Sequence, residues 1–126
     1  RELEVALEAA ALVSSTESGL AVNADLHSEQ VLGGRHEPWL VVDPVLMRGD
    51  IEHDLARVLW TRIDEMRTDA EIREQLRTVV GEAGLDAERA RAWVLYRSLS
   101  YLLWGLEHGL SEDPVRCGRL LLAAGG

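Results

Sequence analysis

The sequence predicts a mainly α-helical domain with one small β-hairpin, and three observations predict it. Apolar residues recur at helical spacing through the second half of the chain, from Ile51 onward. Ahead of them lie two short apolar runs, Leu20 to Val22 and Trp39 to Val42, of strand length and bounded by turn residues. The chain's 126 residues suffice for one apolar core, so residues 1–126 read as a single domain.

The elements follow in order. Residues 1–14 place Leu3, Leu7, Ala10 and Ala11 on one face and Glu2, Glu4 and Glu8 elsewhere, an amphipathic helix. The Ser-Ser-Thr-Glu-Ser-Gly run over 14–19 reads as a loop. A strand follows, then a polar loop, then the hairpin, with its turn at Gly33-Gly34-Arg35-His36. Asp50 reads as a helix N-cap whose side chain takes up orphan backbone N–H groups. The helix behind it carries Ile51, Leu55, Val58, Leu59, Ile63 and Met66 on one stripe. Asp69 reads as the cap of another helix, with Ile72, Leu76, Val79 and Val80 inward and Gly81 and Gly84 ending it.

Asp86 opens the longest element, which runs to about His108 and spans roughly 33 Å. It is apolar on most sides from Trp93 to Leu106, as a buried spine would be, and too short and too polar at Arg97 to cross a membrane. Asp113-Pro114 signals the cap and first position of a last helix, with Leu120 and Leu121 inward.

Composition narrows the function. The chain is 47% hydrophobic and 28% charged with a net charge of −9, which disfavours nucleic acid as a partner and suits cationic ones. A single Cys117 excludes an internal disulfide and fits a reducing cytoplasm. No signal peptide or membrane anchor is legible. The chain begins at Arg1 without Met and reads as a processed or truncated piece, and all 13 of its Lys and Arg residues are Arg.

Candidate chemistry gathers between residues 19 and 56. Asp25 and Asp43 each follow an apolar run, and Asp50 stands where a helix begins. Carboxylates at strand ends suit a metal–phosphate site, because magnesium takes oxygen ligands and keeps places for substrate phosphates. Phosphoryl transfer needs a further carboxylate to orient the attacking hydroxyl.

The same residues resemble the aminoglycoside and hydroxyurea phosphotransferases, in the manner of the streptomycin 6-kinases. Those carry His-Gly-Asp-Leu-His-Pro-Gly-Asn-Val-Leu, then Glu-Pro-Trp-Leu, an Ile-Asp-Pro, and a Gly-Asp-Pro before a helix with Asp-Leu-Ala. Here stand Asn23-Ala24-Asp25-Leu26-His27-Ser28-Glu29-Gln30-Val31-Leu32, Glu37-Pro38-Trp39-Leu40, Val42-Asp43-Pro44, Gly49-Asp50 and Asp54-Leu55-Ala56. Two residues depart from the pattern: Asn23 replaces the leading His, and Gln30 the closing Asn.

The resemblance implies the C-terminal lobe of a protein-kinase-like fold, cytoplasmic, with the N-terminal nucleotide lobe and its Lys absent from this chain. It implies ATP as phosphoryl donor, Mg2+ as metal and a cationic aminoglycoside-like small molecule as acceptor. Asp25 would be the catalytic carboxylate, and Asp43 and Gln30 the metal ligands. Asn23, His27, Asp50 and Asp54 would support the loop, Asp54 by bonding its backbone. Trp93, Trp104 and Glu107 would border the acceptor, although the spacing of the two Trp residues is equally that of core packing. His36, Asp64, Glu65 and Asp69 read as solvated surface.

Two other functions stay open. One is a degenerate relative that binds without phosphorylating, as Asn23 and Gln30 allow. The other takes His53-Asp54 as the dyad of an all-α metal phosphohydrolase, which needs a further His and Asp nearby. A lobe on its own is also expected to expose an apolar patch on the first helix and the hairpin, covered in a homodimer.

Overall fold

The computed structural model describes residues 1–14 and 20–126, so the loop read over 14–19 lies, from residue 15 on, outside the described residues. Helix α1 (Glu2–Ser14) is followed by four short strands, β1 (Ala21–Asn23), β2 (Val31–Leu32), β3 (Leu40–Val41) and β4 (Leu46–Arg48). Four helices complete the chain: α2 (Leu55–Trp60), α3 (Asp69–Ala83), α4 (Ala87–Glu107) and α5 (Glu112–Gly125). Tight 3-10 turns occupy Ser28–Gln30, Ile51–Asp54 and Ile63–Glu65. The architecture is mainly helical, as read, with two antiparallel two-stranded sheets in place of one hairpin.

The sheets are nested. β2 pairs with β3, Val31 opposite Val41 and Leu32 opposite Leu40, and outside them β1 pairs with β4, Ala21 opposite Arg48 and Asn23 opposite Leu46. The inner connection runs over 33–39 and is longer than the Gly33–His36 turn that was expected.

α4 is the spine, packed along α5 and α1 and touched by α2 and α3. Val94, Leu95, Leu120, Leu59, Ile63 and Ile72 are fully enclosed there. Each such aliphatic side chain contributes roughly 1.5–3 kcal/mol relative to exposure. Cys117 lies in the same interior, where burial, with Asp113 nearby, pushes its thiol up to about 11. No helix of the described residues is long and apolar enough to cross a membrane.

Several local readings change. α1 buries Ala6, Ala9 and Val13, while Leu3 and Leu7 stand 59% and 60% exposed, so the inward face is not the Leu face. Small side chains at a helix contact let the axes come close, and α1 lies against α4 on that face. Ile51 leaves the stripe as well, 56% exposed at the head of a 3-10 turn whose period of three breaks the helical phase.

The cap of α3 is Thr68, one residue before Asp69: its side chain accepts the Glu71 N–H while Glu71 reaches back, a capping box. Gly81 lies inside α3, and Gly84, left-handed at φ 63°, ends it. α5 begins at Glu112 after Ser111, which puts Pro114 within the first turn, where its missing N–H costs no bond.

Pro114 sets how closely α5 approaches α4. A Cβ built on Gly105 would lie 2.9 Å from Pro114 Cγ and 3.1 Å from Cδ. Gly105→Ala is therefore expected to cost about 1–3 kcal/mol despite its better helix propensity, read as a lower denaturation midpoint.

Candidate active site

β1 ends at Asn23, whose side-chain oxygen accepts two backbone N–H groups, Asp25 at 3.0 Å and Val45 at 3.3 Å. Ala24 N–H donates to Val45 O at 2.8 Å, and at the far end Val42 N–H donates to Gln30 O at 2.8 Å. Two loops are thus stitched together at both ends: one carries Asp25, the other Asp43-Pro44. Asp43 is exposed and left-handed at φ 51°, which for a non-glycine residue is a strained turn.

Asp25 is half-buried between two partners. Gln30 Nε2 donates to its Oδ2 at 3.4 Å, and Arg57 Nε lies 3.5 Å from its Oδ1. Gln30 itself is buried, and its Oε1 has no donor. Six buried side-chain nitrogen or oxygen atoms lack a hydrogen-bond partner among the described residues. Four of them surround this loop: Asn23 Nδ2, His27 Nδ1, Gln30 Oε1 and Arg57 Nε. Each such atom costs of order 1–3 kcal/mol, and native chains carry few.

An oxygen with no donor, on a side chain that bonds the Asp25 carboxylate, is a group a hard cation can take, and the Val42 N–H to Gln30 O bond brings the chain just before Asp43 to the same residue. No group of three or more His, Cys, Asp or Glu is placed for a metal among the described residues. Magnesium binds few protein oxygens and takes the rest from phosphate and water.

The loop rests on a buried ionic platform. Asp54 Oδ2 accepts the Leu26 N–H at 3.2 Å, and its Oδ1 faces Arg97 Nη1 at 3.3 Å and His53 Nδ1 at 2.9 Å. His53 Nδ1 also lies 3.2 Å from Arg97 Nη1, so the tautomer decides whether it donates to Asp54 or accepts from Arg97. Arg97 also donates to the His53 carbonyl and the Tyr101 hydroxyl.

Asp50 does not cap the following turn; it accepts from Arg89 Nε at 2.7 Å and Trp93 Nε1 at 2.8 Å. Burial pushes its carboxyl up, but the bonds from Arg89 and Trp93 and the charges of Arg89 and His53 together hold it below its ordinary 3.8. A lowered value adds stability above 3.8 that is lost as pH falls through the folded value. Denaturation midpoints should therefore fall more steeply in acid for the wild type than for Asp50→Asn, the two curves converging below pH 3.8.

Trp93 and Trp104 separate. Trp93 is tied to Asp50 and packs edge-on against His53 at 4.9 Å. Trp104 is 51% exposed and stacks on His108, so it is not the core residue its spacing allowed. It borders an open cleft of about 350 Å³ with His53, Tyr96, Arg97, Ser100 and Tyr101. Glu107 is exposed one turn further along α4. Arg57 and Arg89 had no place in the sequence analysis, and Arg97 figured there only as a polar break in the apolar run of α4, which was the available signal.

Residues 2–109 match the family described as aminoglycoside/hydroxyurea antibiotic resistance kinase. The chain is 38% identical over 105 residues to a hydroxyurea phosphotransferase of Kitasatospora aureofaciens, covering 81% of this chain and 30% of that protein. It is 40% identical over 92 residues to a streptomycin 6-kinase of Streptomyces griseus, covering 69% and 30%. A streptomycin 6-kinase of Streptomyces glaucescens is 35% identical over 95 residues, covering 71% and 31%. The chain thus spans about 30% of the length of these relatives. No solved structure matches it.

Proposed function

The chain belongs to the aminoglycoside/hydroxyurea antibiotic resistance kinase family, and we propose that it is the catalytic and acceptor-binding C-terminal lobe of such a kinase, phosphorylating a hydroxyl of a cationic aminoglycoside-like molecule with ATP. The observation that carries this reading is the gathering of orphaned polar atoms around the Asp25 loop. Asp25 aligns the acceptor hydroxyl and takes its proton as the oxygen attacks the γ-phosphorus. Asp43 and the Gln30 amide oxygen would hold Mg2+, which when bound neutralises phosphate charge. Asn23, Asp54 and the Leu26 N–H keep the loop in place. The α4 cleft with Trp104, and Glu107 beyond it, offers an aromatic wall and a carboxylate to a cationic ring. The nucleotide clamp comes from outside this chain, which has no Lys, and an ATP-dependent reaction accords with the cytoplasm.

One observation favours a binding protein without turnover: both Asp25 oxygens face donors, Gln30 and Arg57, that an acceptor must displace. The His53–Asp54 phosphohydrolase reading has no such support, since Asp54 is engaged by Leu26 and Arg97.

The test is a chimera in which this chain replaces the matching segment of the Streptomyces griseus kinase. Acceptor-dependent ADP release with streptomycin or hydroxyurea supports the kinase reading. Acceptor binding with no release supports the binder. By itself the chain exposes Trp39, Leu40, Val41, Leu46 and Met47, and pairing of two copies would cover them. Sedimentation of the chain should then show a dimer, and a strict monomer removes that idea.

A further inference from the structure

We propose that Arg57 is a phosphate-binding residue of this site, its guanidinium meeting the non-bridging oxygens of the phosphoryl group as that group passes to the acceptor. The proposal rests on the kinase reading for the identity of the reaction, but its geometry belongs to this chain alone.

Three observations point to it. Arg57 Nε lies 3.5 Å from Asp25 Oδ1, yet this nitrogen is buried and makes no hydrogen bond. That nitrogen is left without a partner inside the fold, and the side chain as a whole stays 24% exposed, so a ligand reaches the guanidinium beside it. The side chain is also held in advance: its guanidinium carbon lies 4.8 Å from the centre of the Trp60 ring, and Trp60 stacks in turn on Tyr101. A cation fixed against an indole pays little reorganisation when charge develops beside it.

The third observation is what the other cations do. The chain has no Lys, so any cation it brings to phosphate is an Arg. Arg73, Arg89, Arg91, Arg97 and Arg119 are committed to carboxylates or carbonyls inside the fold. Arg48 lines a hollow with Asp50 and Trp93, and Arg35 and Arg67 stand in the 33–39 connection and just ahead of α3. Arg62, Arg77 and Arg116 pair with exposed acids. Arg57 is the guanidinium beside Asp25, and among the described residues Asp25 is its ion-pair partner.

The chemistry balances without another reagent. The acceptor oxygen bonds to the γ-phosphorus, the bond to the bridging oxygen breaks, and its electron pair leaves with ADP. The acceptor proton passes to Asp25. Arg57 gains and loses nothing; it neutralises the equatorial oxygens, as guanidinium groups do elsewhere in phosphoryl transfer. A purely structural Arg57 would only balance Asp25.

Two measurements separate these roles and keep this inference distinguishable from the kinase reading. The first titrates inorganic tripolyphosphate into the chain by calorimetry. Wild type should bind, Arg57→Ala should bind on the order of tenfold more weakly, and Arg57→Lys should recover part of the loss. The second follows ADP release by the chimera, where Arg57→Ala should lower kcat with little change in acceptor KM, and added guanidinium should restore part of it. Tripolyphosphate binding that depends on Arg57 in a chimera without turnover leaves the phosphate site standing and removes the kinase reading. Turnover indifferent to Arg57→Ala leaves the kinase and removes this proposal. Tripolyphosphate that binds wild type and Arg57→Ala alike, or binds neither, overturns it as well.

Discussion

Asp25→Asn in the chimera is expected to lower acceptor-dependent ADP release by about 10²–10⁴-fold, the range for removing a positioned general base. The fold should survive, because Asp25 is only half-buried and Asn still accepts from Gln30 Nε2. Glu29, exposed and in the following turn, is no substitute. Acceptor KM should change far less than kcat, since the lost interaction grows as the proton moves. Steady-state kinetics with the acceptor varied make the comparison. Asn23→His, by contrast, should act through loop stability, because Asn23 bonds the backbone of Asp25 and Val45 and not a substrate.

The largest expected stability loss lies at the platform. Asp54 and Arg97 side chains are only 7% and 10% exposed, and Asp54→Ala leaves the guanidinium buried without its carboxylate. Removing one member of such a pair costs about 3–5 kcal/mol. The Leu26 N–H loses its acceptor at the same time, so the damage reaches the Asp25 loop. Urea denaturation of Asp54→Ala should show the loss. Arg97→Met should cost a similar amount, with the negative charge of Asp54 left uncovered. An Asp54→Ala midpoint within about 0.3 M of wild type would show that the platform adds less than about 1 kcal/mol to stability, given slopes of about 1–3 kcal/mol/M.

Legibility followed the range of the interactions involved. The Asp25 loop, the Asp43 turn and the helix behind Asp54 were readable because their spacing along the chain is itself the pattern. α3 was readable because a stripe of apolar residues fixes both element and face, whereas α4, apolar on most sides, was readable as an element but not in its burial, since Leu103 and Leu106 stand exposed.

What misled were choices made by distant partners. Asp50 has the chemistry of a cap, but Arg89 and Trp93, some forty residues on, take its oxygens. α1 offers two apolar faces, and only the shape of α4 selects the one with Ala6, Ala9 and Val13. Trp104 has core spacing but sits where α4 emerges toward its end. The arginines were missed for the same reason, since a guanidinium's role depends on which carbonyls and carboxylates lie within reach.

The proposed kinase reading puts Asp25, Gln30 and Asp43 in one metal–phosphate site. Its most direct test is paramagnetic broadening of the chain's amide resonances by manganous ion, with and without tripolyphosphate. A shared site should give selective broadening at residues 23–30 and 42–45, strengthened by tripolyphosphate and lost in Asp43→Asn. Broadening confined to the acids around Asp64 and Glu65, or broadening of residue 43 without residues 25 and 30, would contradict it.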